Sequence, residues 1–446
     1  MAKKDQLKYE CNNCGSIFTS WMGKCSSCGE WNTLVEKIDT DIVATSGHKL
    51  STVGLMDIGK SKAKTRISSE MNGVDEVLGG GFVAGSINLI AGQPGIGKST
   101  LLLQIACNAS SKQKVLYISG EESVTQVGMR ASRIGNGHSS LQIVSSNSAE
   151  DIARTIAENN FDLVIVDSIQ TVSVSSVSSG AGSVAQITNS TQLLMSVAKK
   201  SDTALIIVGH VTKEGSIAGP KVLEHVVDVV LQLEGDRYGG FKILRSVKNR
   251  FGSTNESAIF EMKELGLVLV DNPSAALLEE RQVSDGSVVL ATLEGARPLL
   301  VEVQALVNTT SYGYPKRASS GIDINRVNLL IAMLERRTKL KLSDKDIYIN
   351  IVGGMKITEP AADLAVCMAI ASATKGMQLK DDSVVFGEVG LSGEVRRVNF
   401  MEKRLQEAKK LGFIGAIGSK GSSQSKNNFV HEVSTIKQAL NSFLSK

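Results

Sequence analysis

Apolar residues in this chain gather into short runs. Runs at 86–91, 114–119, 162–167 and 204–210 read as strands, and the first leads straight into a helical segment at 101–106. Further apolar stretches follow at 226–234 and 241–247. Beyond about residue 285 the pattern changes. Strands are expected at 288–295, 298–307 and 347–352, and amphipathic helices at 323–337, 361–374 and 401–411. That order suggests an α+β domain behind an α/β one. Periodicity is absent from 36 to 66, which reads as a linker.

Composition narrows the picture without deciding it. A chain of 446 residues, 42% apolar, holds two to four domains at roughly 100–200 residues each. The net charge of +4 comes from 49 basic and 45 acidic residues, too even a balance to argue for nucleic acid by itself. The first residues contain lysines but no apolar run behind them, so no signal peptide is expected. The uncharged stretch 168–198 is rich in Ser, Thr, Asn and Gln and contains Gly180 and Gly182. It reads as a polar flexible segment, not a membrane span, and the expected location is the cytoplasm.

Cys11, Cys14, Cys25 and Cys28 form C-x2-C-x10-C-x2-C, with Gly15 and Gly29 after the second Cys of each pair. Four soft thiolates with no histidine nearby suit a closed, structural Zn2+ site. Disulfides or an iron–sulfur centre are the alternatives. A module of residues 1–35 is too small to bury a core, so its metal must supply the folding energy. Trp21 and Trp31, the only tryptophans, are expected to pack on this knot, with stacking on a nucleic-acid base as the other reading. Cys107 and Cys367 sit in apolar helical patterns and read as buried side chains.

The strand at 86–91 runs into Gly92, Gln93, Pro94, Gly95, Ile96, Gly97, Lys98, Ser99 and Thr100. This is a G-x-x-x-x-G-K-S phosphate loop in its strand–loop–helix setting. Its glycines let backbone amides turn toward the phosphates of ATP, and the following helix adds its positive end. Lys98 is expected on the β and γ phosphates, and Ser99 on Mg2+. Glu121 and Glu122 follow the next strand, where an acidic side chain could orient water; Glu121 is preferred, and a helix N-terminal pair is the alternative. Asp167 ends an apolar strand, as a magnesium-holding residue does. His210 occupies the corresponding end of another strand, suiting a γ-phosphate sensor or a structural role equally. Loops at 171–186 and 212–221 leave the expected ligand side, where a translocating ATPase would hold a strand; ordinary surface loops are the other reading. Lys248-Asn-Arg-Phe-Gly252 follows a strand and brings Lys248 and Arg250 together. It reads as a surface turn, as a phosphate-directed element that serves a neighbouring subunit, or as a direct DNA contact.

This set of motifs, in this order, resembles the bacterial RadA (Sms) family of DNA repair proteins over essentially the whole chain. The resemblance implies a RecA-like P-loop ATPase core at 67–284, between the zinc finger and a Lon-protease-like (S5-like) domain at 285–446. It further implies a DNA-dependent ATPase, a hexameric ring on single-stranded DNA that drives branch migration of recombination intermediates beside the RecA recombinase. By analogy with RecA-type cores, the loops at 171–186 and 212–221 are the DNA-facing ones. In Lon the nucleophile sits in Gly-Pro-Ser-Ala-Gly, but the matching run here, 359–363, has Ala361 at the serine position. The Lon lysine position holds Glu402. The domain is therefore expected to be proteolytically inactive, a ring scaffold, with Lys316, Arg317, Arg396 and Arg397 as DNA contacts or simply a solvated face. An ATP-dependent protease and a non-motor signalling ATPase are the rival readings.

Overall fold

The structure is a computed structural model. It describes residues 8–37, 66–134, 140–210, 222–235, 241–311, 313–379, 382–421 and 429–444. The chain divides into two compact units, Met1–Ala63 and Lys64–Lys446. The loop expected at 212–221 lies outside the described residues.

In the first unit the strands Lys8–Cys11, Ile17–Phe18 and Leu34–Lys37 form an antiparallel ribbon with Lys8–Cys11 in the middle. Among its described residues the buried apolar cluster is only Cys11, Cys25 and Leu34, with Tyr9, Phe18 and Cys28 partly buried beside them. So few buried groups do not offset the chain entropy of ordering the ribbon, and the cysteine cluster has to do so.

The second unit holds two large sheets. The first has nine strands. Across it run Gly266–Leu269, Ser257–Lys263, Phe241–Asn249, Val229–Gly235, Ile87–Gly92, Ala204–His210, Leu163–Asp167, Val115–Ser119 and Gln142–Ser145. The strands from Val229–Gly235 to Gln142–Ser145 are mutually parallel. All six residues of Ile87–Gly92 are buried, and they alternate between two cores: Ile87, Leu89 and Ala91 on one face, Ile90 on the other. Helices on both faces explain why the strand has no polar alternation. In register, His210 pairs with Gly92 and Ser119 with Asp167, so the four strands deliver their ends to one edge.

The C-terminal sheet has seven strands, with Arg297–Thr309 and Ser287–Glu294 near its centre. The helices Ile324–Thr338, Asp363–Lys375, Met401–Lys410 and Ile436–Phe443 cover it. Each strand and helix expected in this half occurs within two residues of its expected bounds. The two halves are not separable: Ile243 and Ile259 of the first sheet join Leu277, Val288 and Leu300 in one core. The helix Pro273–Leu278, placed by the sequence on the ATPase side, packs against Arg297–Thr309.

Three local expectations are corrected. The stretch 168–198 is not a flexible segment: the helix Val184–Lys200 begins within it, capped by the Ser183 hydroxyl. The loop before that helix is wrapped around Gln186, whose side chain accepts from Val174 N (2.8 Å) and donates to the carbonyls of Val174, Val177 and Ser179. The linker does not reach residue 66. Arg66 is already in the strand Arg66–Ile67, and its guanidinium donates to the carbonyls of Leu78, Gly81 and Phe251. Finally, Trp21 and Trp31 do not pack into the metal knot; they are 58% and 67% exposed. Cys107 and Cys367 are buried, as read.

Candidate nucleotide site and metal centre

The helix Lys98–Ala109 starts at Gly97, whose φ of 115° is open to glycine and strained for other residues. No side chain caps its first turn, as suits a helix start that receives an anion. Lys98 is buried and turned into the loop, its ammonium donating to the carbonyls of Gly92 (2.9 Å) and Gln93 (3.0 Å). Burial lowers Lys98 to about 8, against the opposing pull of Asp167 and then Glu121. Both carboxylates therefore sit within electrostatic reach of the ammonium. The donor set fits a nucleoside triphosphate: loop amides, a helix start, a lysine, the Ser99 hydroxyl and nearby carboxylates for a divalent cation.

The structure separates the two glutamates. Glu121 accepts from the Ser168 hydroxyl (2.6 Å), next to Asp167. Glu122 instead forms an ion pair with Arg130 on the following helix. Asp167 accepts from the Tyr117 hydroxyl at 2.6 Å. Burial, with the Asp167 charge beside it, pushes Tyr117 well above its usual value and keeps it a proton donor. Neither Tyr117 nor Ser168 was singled out from the sequence. The one available signal for Tyr117 was a hydroxyl-bearing residue inside a fully buried strand. The backbone of His210 is level with Gly92.

Lys248 and Asn249 are the last residues of their strand, Phe241–Asn249, not residues after it. Lys248 donates to the carbonyls of Glu224 (2.7 Å), His225 (3.1 Å) and Val227 (2.7 Å). Asn249 reaches the Leu78 carbonyl. Arg250 pairs with Asp228 (3.0 Å), and Asp228 also accepts from the Ile87 amide. Ile87 begins the strand that ends at Gly92, so Arg250 stands at the opposite end of the sheet from its own phosphate loop, roughly 17 Å along the strand. Asp228, the partner that fixes Arg250, was not found from sequence.

The four N-terminal sulfurs all lie within 4.8 Å of one another. Cys11 to Cys28 and Cys14 to Cys25 are both 3.7 Å apart. That separation is far too long for a disulfide, and it matches the edge of a tetrahedron whose metal–sulfur bonds are about 2.3 Å. Gly15 and Gly29, at φ of 73° and 78°, donate back to the Cys11 and Cys25 carbonyls and close the two knuckles.

Comparison with known proteins agrees with this layout. The rubredoxin metal binding domain family matches residues 9–36, and an AAA domain family matches residues 61–216. The chain is 48% identical to the DNA repair protein RadA of Bacillus subtilis (strain 168), over 99% of each chain. It is 45% identical to the RadA of Aquifex aeolicus, over 93% of each chain, and 44% identical to that of Streptococcus pyogenes serotype M1, over 100% of each. The chain belongs to the RadA family of DNA repair proteins. Its nine-stranded sheet is thus a RecA-like P-loop ATPase core, flanked by a metal ribbon and a Lon-like C-terminal domain.

The family of subunit ChlI of Mg-chelatase matches residues 322–422 of that C-terminal domain. Ala361 is buried in a short turn, and Glu402 lies in the first turn of Met401–Lys410. Two residues from each stand Glu359 and Arg404, joined as an ion pair, with the Arg404 side chain wholly buried. Arg404 also donates to the carbonyls of Ala291 (2.6 Å) and Asn399 (3.2 Å). Glu359 accepts from Thr292 and from the Leu293 amide. A second buried carboxylate, Asp363, is paired with Arg326 (2.9 Å). Among the described residues no helix is long and apolar enough to cross a membrane.

Proposed function

We propose that this chain is a DNA-dependent ATPase of homologous recombination and repair. It assembles as a hexameric ring around single-stranded DNA and promotes branch migration of recombination intermediates together with the RecA recombinase. Family membership supports the repair role, since the relatives carry the name DNA repair protein. The observation that carries the ring is the position of Arg250, half exposed at the sheet end away from its own phosphate loop.

Within the site, Lys98 and the loop amides hold ATP phosphates, while Ser99 and Asp167 hold Mg2+. The cation neutralises charge on the phosphate oxygens. Glu121 orients the attacking water, Tyr117 fixes Asp167, and Glu122, engaged by Arg130, is left out. His210 reports on the γ-phosphate. Arg250 completes the neighbouring subunit's site as charge develops there, an effect worth roughly 10³–10⁵ in rate for arginine fingers. Lys248, which binds three carbonyls, positions Arg250. The ribbon's metal is zinc. The C-terminal domain is a scaffold without protease activity, a reading supported by Ala361 and Glu402.

The test mixes two inactive variants. Lys98→Ala has a dead loop and an intact finger; Arg250→Ala has the reverse. Rings formed from both should regain part of the ATPase activity that neither has alone. No recovery on mixing, or full ATPase activity in Arg250→Ala, would overturn the trans arrangement.

A further inference from the structure

The metal ribbon presents two indoles to solvent on a braced piece of backbone. Trp21 and Trp31 are 58% and 67% exposed. Between them the Cys25 knuckle is held tightly: Cys25 N donates to the Glu30 carbonyl and Asn32 N to the Gly23 carbonyl, both at 2.8 Å. Lys24 and Trp31 face each other as an antiparallel bridge. Both rings lean on one glycine. A methyl group at Gly23 would stand 3.8 Å from Cζ3 of Trp31 and 4.0 Å from Cη2 of Trp21. The Lys24 ammonium is 5.5 Å from the centre of the Trp31 ring.

Leaving two tryptophans in water sacrifices the largest apolar burial a side chain offers. Their neighbours along the chain are Ser20, Met22, Glu30 and Asn32, mostly polar. A nucleotide has a flat apolar face, polar edges and an anionic backbone, which match two exposed rings and the Lys24 ammonium over one of them. We propose that Trp21, Trp31 and Lys24 form a stacking site for unpaired DNA bases on the metal ribbon. This goes beyond the motor reading, because the site lies outside the ATPase core and needs no nucleotide.

These are the chain's only tryptophans, so its indole fluorescence reports this surface alone. A short oligodeoxythymidylate added to the full-length protein should quench tryptophan emission and saturate. An abasic strand of the same length, which keeps the phosphates, should not. The double variant Trp21→Ala/Trp31→Ala should bind the oligonucleotide about tenfold more weakly, the scale of losing base stacking. It should retain one metal ion per chain and its DNA-independent ATPase activity. If the alanine variant loses its metal, Trp21→Phe/Trp31→Phe carries the comparison: it keeps flat rings and should keep most of the affinity. Unchanged emission on binding, equal quenching by the abasic strand, or parental affinity in the metal-bearing alanine variant overturns the proposal. Lys98→Ala should leave the quenching intact, so quenching without DNA-stimulated ATPase activity would sink only the motor reading.

Discussion

Glu359→Ala is the most informative perturbation of the C-terminal domain. It leaves the Arg404 guanidinium, 0% exposed, with the carbonyls of Ala291 and Asn399 and the face of the Phe386 ring but no counter-charge. It also strips the acceptor from Thr292 and the Leu293 amide. Breaking a buried ion pair from one side costs about 3–5 kcal/mol, mostly the penalty of an uncompensated charge. Replacing both partners with apolar residues of similar volume removes the charge and the penalty together. Glu359→Met/Arg404→Met is therefore expected to recover most of that loss, keeping only about 1–3 kcal/mol for Thr292 and the Leu293 amide left without an acceptor. Tryptophan fluorescence cannot follow this, because Trp21 and Trp31 both lie in the ribbon. Scanning calorimetry can, and the single variant should melt lower by on the order of 5 °C. The reasoning fails if Glu359→Ala melts with the parent. It fails equally if the double methionine variant is as unstable as the single one, for then packing, not charge, is what the pair supplies.

Three further outcomes follow from the other sites. Burial holds Lys98 at about 8, below its unfolded value near 10.5, so the charged ammonium costs stability below pH 8 and the cost fades as pH rises toward 10.5. Lys98→Met, denatured without nucleotide, should be more stable than the parent at pH 7 by roughly 1–2 kcal/mol and lose that advantage by pH 10; a pH-independent difference would refute it. Cys25→Ser should lose the ribbon's metal and its folded signals while ATP binding persists, read by metal analysis and nucleotide titration, and loss of ATP binding would contradict the division into two units. Gln186→Leu removes the four hydrogen bonds that organise 174–179, so amide exchange there should quicken at least tenfold while the helix Val184–Lys200 stays protected; unchanged exchange would show that the loop holds itself.

The sequence alone determined what depends on neighbours along the chain. The phosphate loop is legible because Gly97 supplies a backbone angle other residues resist and Lys98 follows it directly. The cysteine knuckles are legible for the same reason, since a two-residue gap and a glycine set the turn. The C-terminal helices and strands were readable from period alone. Tertiary structure decided everything that rests on which strand lies beside which. Strand order places Tyr117 against Asp167 and Ser168 against Glu121, and so distinguishes Glu121 from Glu122. The antiparallel return of Phe241–Asn249 carries Arg250 to the far end of the sheet. Burial of Arg404 and exposure of two tryptophans are likewise invisible in a linear pattern, where a charge reads as surface and an indole as core. A side chain's partner in this fold is often more than a hundred residues away, and only the packed chain brings the two within hydrogen-bonding distance.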